Sequence, residues 1–89
     1  MSTVLRVEHP AEDMYVLRNT SDRELHNVVV DGSQVGVQTK NLPAGMDLAP
    51  GEGVEFHMYK HGGTEPPGHL YVRWDEADKW DRIAVGPAA

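Results

Sequence analysis

The chain has 89 residues, which is enough for one folded domain and too few for two. Its acidic residues outnumber its basic residues by 14 to 8, and the net charge of −6 argues against nucleic acid as a partner, because phosphate binding relies on clustered lysine and arginine. The chain contains no cysteine, which excludes disulfides, thiolate metal sites and a cysteine nucleophile.

The first eight residues carry neither a signal peptide pattern nor an apolar run long enough to span a membrane. We therefore expect a protein that is not secreted by a signal peptide, has no membrane partner, and resides in the cytoplasm, or in the virion if it is phage-encoded. Residues 1–12 are expected to form an N-terminal arm or a first strand. Val4, Leu5 and Val7 are apolar enough for this segment to pair within the chain or with a neighbouring molecule.

Short strand patterns separated by turn residues run from residue 13 to residue 86, which we interpret as one β-sandwich, and residues 87–89 form a tail. The stretch 61–68 contains two prolines and three glycines and predicts a surface loop. No segment shows the 3.6-residue period of a helix longer than a turn. The predicted strands are 14–19, 26–30, 35–39, 54–60, 69–75 and 80–85.

The segments 54–58 and 70–74 give the strongest structural signal, because alternate residues in both are apolar. This period of two is typical of strands with one buried face. The pattern predicts an all-β fold, with a two-sheet sandwich of six or seven short antiparallel strands favoured over a small barrel. The predicted core comprises Leu17, Val28, Val30, Val54, Phe56, Met58, Leu70, Val72, Trp74, Ile83 and Val85.

Two regions resemble a known fold family. Tyr15–Asp22 followed by Leu25–Val30 looks like the opening hairpin of many bacterial and phage immunoglobulin-like domains, and Leu48–Phe56 is similar to the start of their middle strands. The resemblance implies an immunoglobulin-like sandwich. It implies no catalytic residues, because the family shares none, and the disulfide of antibody domains is absent here.

The parity of the final hairpin predicts which residues are exposed. If the apolar residues of 70–74 face the core, Ile83 and Val85 must oppose them, which requires an even-numbered loop with Asp75 opposite Trp80. Trp80 then lies on the outer face beside Tyr71, Arg73 and Arg82, an arrangement typical of an interface anchor. The alternative is a β-bulge that turns Trp80 inward toward Trp74.

The histidines and carboxylates do not predict a metal site or an enzyme. His57 and His61 are four residues apart on a strand, so their Cα atoms are roughly 13 Å apart, too far for one ion, and only loop folding would bring His61 near His69. The acidic stretch 75–81 lacks the glycine of an EF-hand loop and contains a lysine. No serine lies in a nucleophile elbow. We therefore expect no metal, no cofactor and no catalysis.

Two classes of function remain open. The first is a structural or interaction module, and within it we favour a phage virion accessory protein, such as a capsid decoration protein, whose partner is a capsid or other virion protein. An inhibitor of a host enzyme with a basic surface is a related interpretation, and homo-oligomers are compatible with both. The second class is a carbohydrate-binding module that uses Trp80, Tyr71 and Tyr59 as a stacking platform. Contacts are expected to concentrate on Trp80, Tyr71, Arg73 and the loop 62–68, with Arg82 and Tyr59 as further binding residues and the N-terminal arm as a second site.

Overall fold

The computed structural model describes residues 4–77 and 79–85. Its strands are β1 (Leu5–Ala11), β2 (Met14–Asn19), β3 (Leu25–Val30), β4 (Gln38–Lys40), β5 (Ala44–Leu48), β6 (Gly53–Tyr59), β7 (His69–Arg73) and β8 (Asp81–Ala84). A 3-10 turn, Gly32–Gln34, follows β3. The described part of the chain has no helix long and apolar enough to cross a membrane. The predicted tail 87–89 lies outside the described residues.

The eight strands of residues 4–77 and 79–85 form two antiparallel sheets of four. Sheet I has the order β1-β2-β6-β4, and sheet II has the order β5-β3-β7-β8. A single apolar cluster contains buried residues from both sheets. The predicted all-β sandwich is therefore confirmed, but it has eight strands and not the predicted six or seven.

The alternation of apolar residues places one face of each sheet in the core. Along β6, Phe56 and Met58 are fully buried, whereas the preceding Glu55 is exposed. Burial of side chains of this size contributes roughly 1.5–3 kcal/mol each. Burial of the predicted core residues is confirmed except for Val54 and Val85, which are only partly buried and pack against the cluster. The core also contains residues that the sequence pattern missed, namely Leu5, Val7, Tyr15, Leu25, Val35 and Leu48.

The N-terminal segment is the first strand of the sandwich. Leu5 lies opposite Asn19 and Val7 opposite Leu17 in the β1–β2 ladder, and both β1 side chains are buried. An isolated parallel bridge between Val7 and Val85 also joins β1 to the end of β8 in the other sheet. Of the two predicted alternatives, the structure therefore has the first strand, in which β1 pairs with β2 of its own chain.

The region between β3 and β6 differs most from the sequence prediction. In the predicted strand 35–39, Val35 instead ends the 3-10 turn and is buried, so that β4 starts only at Gln38. Strand β5 was not predicted, because the stretch Leu42–Gly45, with its proline and glycine, resembles a turn. Gly45 has a φ of 115° within the strand. Strand β5 pairs with β3 through an irregular register, with Asn27 at a φ of 56°. A β-bulge is defined by how two paired strands align, so the sequence of one strand alone does not reveal it.

Asn19 joins the two sheets. It lies at the end of β2 and is fully buried. Its side-chain amide donates to the carbonyl oxygens of Arg23, Leu48 and Ala49 at 2.7, 3.0 and 3.2 Å, and its Oδ1 accepts from the backbone and hydroxyl of Ser21. The polar side chain is therefore satisfied on both its donor and acceptor sides, as burial requires.

Candidate protein-binding surface

The final hairpin forms with a register that differs from the predicted one by two residues. Leu70 lies opposite Ile83 and Tyr71 opposite Arg82. The predicted pairing of Asp75 with Trp80 is wrong, because β7 ends at Arg73 and the chain already turns at Trp74, whose carbonyl accepts from the backbone N–H of Ala77 at 2.9 Å. A shift of two residues keeps every side chain on its predicted face.

Trp80 lies on the outside of the sandwich. It is 41% exposed and is the exposed large hydrophobic residue of the described chain, whereas Trp74 is 8% exposed and belongs to the core. The outward orientation predicted from the hairpin parity is confirmed, and the alternative in which a bulge turns Trp80 inward is wrong.

Trp80 and four other side chains of the final hairpin define what we call the hairpin surface: Tyr71, Arg73, Lys79, Trp80 and Arg82. Tyr71 is half-buried and the other four are exposed. Tyr71 and Arg82 are direct cross-strand neighbours, and Arg73 lies opposite Val29 of β3. The Arg82 guanidinium lies 3.2 Å from Nδ1 of His69, to which it donates, and this contact holds it along the strand. The structure thus brings together four of the five predicted binding residues.

Tyr59 is the predicted binding residue that lies elsewhere. It is at the end of β6 in sheet I, where Phe56 and Met58 face the core, so Tyr59 points to the outer face of that sheet. Its ring stacks on His57 with centroids 5.8 Å apart. Trp80 and Tyr71 belong to the outer face of sheet II, and the predicted three-aromatic platform for carbohydrate is therefore not assembled. Local alternation gives the face of a strand but not the sheet to which it belongs.

The turn that leads into Trp80 is held by a contact that the sequence analysis missed. Glu76 accepts a hydrogen bond from the backbone N–H of His26 at 3.1 Å, and its second oxygen lies 2.8 Å from Nδ1 of the His26 ring. The backbone N–H of Asp75 donates to the His26 carbonyl at 2.9 Å. The Glu76 carboxylate raises the pKa of His26, and the His26 ring lowers the pKa of Glu76.

The same histidine belongs to an exposed cluster with Glu24 and Asp47, whose ligand atoms lie within 4.8 Å of one another. His26 Nε2 is 3.3 Å from Glu24, and Asp47 accepts from the backbone N–H of Asn27. Coulombic attraction from Glu24 and Asp47 adds to that of Glu76 in raising the pKa of His26. Of the histidines considered in the sequence, His57 contacts Tyr59 and Glu55, while His69 accepts from Arg82.

A shallow groove of about 600 Å³ adjoins the hairpin surface. It lies where the edge strands β1 and β8 separate, and its lining includes Arg6 and Leu5 from β1. His69 and Arg82 line its other side, so the groove and the hairpin surface are continuous through Arg82. Any partner that covers Trp80 therefore has a neighbouring depression into which its chain could extend.

Comparisons of the chain with protein-family models, with curated proteins and with solved structures gave no match. The interpretation of the hairpin surface rests on its own geometry and chemistry.

Proposed function

We propose that the protein is a non-catalytic interaction module that binds a protein partner through the hairpin surface. The observation that carries this proposal is the 41% exposure of Trp80 among arginines and a tyrosine. Tryptophan, tyrosine and arginine are the residues most enriched at binding hot spots, because they bury a large area and retain a polar group for hydrogen bonding. A solvent-exposed indole otherwise has an unfavourable contact with water.

The rigidity of the support favours the same function. The inner sides of β7 and β8 are anchored in the core by Leu70, Val72 and Ile83, which are 1%, 0% and 4% exposed. The turn before Trp80 is fastened to β3 through His26. Binding residues on such a support lose little conformational freedom when a partner docks, which leaves more of the contact energy for affinity.

The immunoglobulin-like character of the sandwich is a finer part of the proposal, and strand order supports it. In immunoglobulin constant domains the sheets have the orders A-B-E-D and C-F-G. If β5 is counted as an additional strand beside β3, then β1-β2-β6-β4 and β3-β7-β8 follow those two orders. The resemblance of Tyr15–Asp22, Leu25–Val30 and Leu48–Phe56 to immunoglobulin-like domains points in the same direction.

The finest part of the proposal is that this module is a phage virion accessory protein, such as a capsid decoration protein. It rests on analogy of fold and size, since small immunoglobulin-like domains serve as accessory proteins on phage shells. Co-sedimentation of the purified chain with phage shells in a ratio fixed by the lattice is the expected result. A chain that stays in the supernatant at saturating concentration argues for a partner outside the virion.

The interaction function itself is tested by affinity capture. Wild-type protein and two variants, Trp80→Ala and Tyr59→Ala, are immobilised and exposed to a lysate of the source cells, and captured proteins are identified by mass spectrometry. We expect one protein to be retained by wild type and by Tyr59→Ala, the control aromatic on the other sheet, and to be lost from Trp80→Ala. Equal capture by all three would show that the hairpin surface is not the binding site.

A further inference from the structure

The hairpin surface carries a local concentration of unpaired positive charge on an acidic protein. Three of the eight lysine and arginine residues belong to this surface: Lys79 precedes Trp80, Arg82 follows it by two residues, and Arg73 ends the partner strand β7. Among the described residues, the ion pairs of lysine and arginine lie elsewhere, at Arg6 and Arg18 with Glu8 and at Lys60 with Glu65. The three cations of the hairpin surface are therefore available to a partner.

The described carboxylates of the hairpin are engaged or turned away. Asp75 accepts from the Asn27 side chain at 3.3 Å, and Glu76 is held by His26. Asp81 lies opposite Val72, on the core-facing side of β8, and is only partly exposed. None of these three is within ion-pair distance of Arg73, Lys79 or Arg82.

We propose that the hairpin surface binds an acidic protein segment in which aspartate or glutamate residues flank an apolar side chain; this inference rests on the proposed interaction function. The apolar side chain covers Trp80. The carboxylates contact Arg73 and Arg82, whose planar guanidinium groups suit bidentate hydrogen bonds to carboxylate. Arg82 retains N–H groups for this purpose, because its contact to His69 uses one terminal nitrogen.

The proposed partner is acidic, whereas the net charge of the protein would favour a basic one. A net charge of −6 favours a basic partner for the molecule as a whole. At an interface, however, the complementary charges are those of the contacting patch, and these also guide the approach of the partner. An enzyme with a basic surface around its site, considered in the sequence analysis, does not fit the hairpin surface.

The local potential is tested directly by the quenching of tryptophan fluorescence. Iodide and caesium at constant ionic strength report the charge around the exposed Trp80, while Trp74 is protected in the core. Relative to N-acetyltryptophanamide, iodide should quench at least about twofold more strongly than caesium, because surface potentials of this kind change local ion concentrations by such factors. The double variant Arg73→Gln/Arg82→Gln should remove the preference, whereas Arg23→Gln/Lys40→Gln, with the same charge change, should retain it.

Binding is tested with poly-L-glutamate, poly-L-lysine and oligo-dT as probes at low salt. Poly-L-glutamate should bind the wild-type protein. Its affinity should fall at least about tenfold in Arg73→Gln/Arg82→Gln, as expected for the loss of two charged contacts, and less than about twofold in Arg23→Gln/Lys40→Gln. Stronger binding of poly-L-lysine at this surface, or a preference of Trp80 for caesium, would overturn the inference. Tighter binding of oligo-dT through the same arginines would also overturn it, in favour of nucleic acid.

The two proposals fail in different ways. A captured partner that requires Trp80 but presents lysines and arginines to it would leave the interaction function standing and refute the acidic segment. Conversely, iodide could quench Trp80 more strongly than caesium while Trp80→Ala captures the partner as well as wild type does. That result would refute the interaction function and leave the positive charge of the surface standing.

Discussion

Glu76 and His26 are 50 residues apart in the chain and make two contacts, one through the His26 backbone N–H at 3.1 Å and one through ring Nδ1 at 2.8 Å. The pair fastens the turn before Trp80 to β3. The geometry of the hairpin surface therefore depends on a residue of another strand as well as on the hairpin itself.

The His26–Glu76 contact gives a pH dependence with a definite sign. The Glu76 carboxylate raises the pKa of His26 above its ordinary value of 6.5, so this contribution to stability is complete below pH 6.5 and is lost as pH rises through the folded-state pKa. The His26 ring lowers the pKa of Glu76 below 4.5, so its contribution is complete above pH 4.5 and is lost as pH falls further. The other acidic groups near His26 are Glu24 and Asp47.

An NMR titration of the His26 ring protons checks this pH dependence. Glu76→Gln should lower the pKa of His26 toward 6.5, because the charged acceptor is lost. Glu55→Gln, which changes the carboxylate 3.2 Å from His57, is the matched control and should leave the His26 pKa in place. An unchanged His26 pKa in Glu76→Gln would show that the contact does not persist in solution.

Truncation of the two tryptophans should affect the free energy of unfolding to very different extents. Trp74 is 8% exposed and packs in the core, so Trp74→Ala should lower the free energy of unfolding by about 3–5 kcal/mol. Trp80 is 41% exposed and lies outside the core cluster, so Trp80→Ala should change the free energy of unfolding by less than about 1 kcal/mol. Urea denaturation followed by circular dichroism measures both values. Similar losses for the two variants would place Trp80 in the core.

Substitution of Asn19 should lower the free energy of unfolding more than substitution of an exposed polar residue does. Asn19→Ala removes three hydrogen bonds to carbonyl oxygens at a fully buried site, so the free energy of unfolding should fall by about 2–4 kcal/mol. Asp22→Ala, at an exposed position in the following turn, should change it by less than about 0.5 kcal/mol. Equal effects of the two substitutions in thermal and urea unfolding would contradict the bridging role of Asn19 between the sheets.

Gly45 tests the irregular pairing of β5 with β3. Its φ is 115°, and an added Cβ would lie 2.8 Å from Oδ1 of Asn27, so Gly45→Ala should cost about 1–3 kcal/mol of folding free energy. Gly63→Ala is the control, since a Cβ there has no neighbour within 4 Å, and it should be neutral or stabilising by up to about 1 kcal/mol. A neutral Gly45→Ala in urea denaturation would show that β5 is not held in this conformation.

Local patterns predict the parts of this fold that depend on burial. The alternation around Phe56 and Leu70 predicts strands and a buried face, and hairpin parity places Trp80 outside even though the register is shifted by two residues. Parity survives such a shift because strands repeat every two residues. The exact register depends on where the turn begins, and that is set by the hydrogen bond of Ala77 to Trp74.

Other features depend on pairing between distant segments and have no local signal. Strand β5 contains Gly45 and follows a proline, and it becomes a strand only through its ladder with β3. The placement of Tyr59 away from Trp80 follows from the sheet that β6 joins. His26 meets Glu76 because β3 and β7 are neighbours in sheet II. Four of the five residues of the hairpin surface were therefore predicted from the sequence, whereas Lys79 and the support from β3 were not.

The affinity of the captured partner for Trp80→Ala, measured together with the melting temperature of that variant, tests the central claim most directly. We expect association to weaken by at least about 1–2 kcal/mol, as for a hot-spot residue, while the melting temperature stays nearly unchanged. Tyr59→Ala, on the outer face of sheet I, should alter neither quantity by a comparable amount. Unchanged affinity together with a collapsed melting temperature in Trp80→Ala would contradict the account, because it would assign Trp80 to stability and leave the hairpin surface without a binding role.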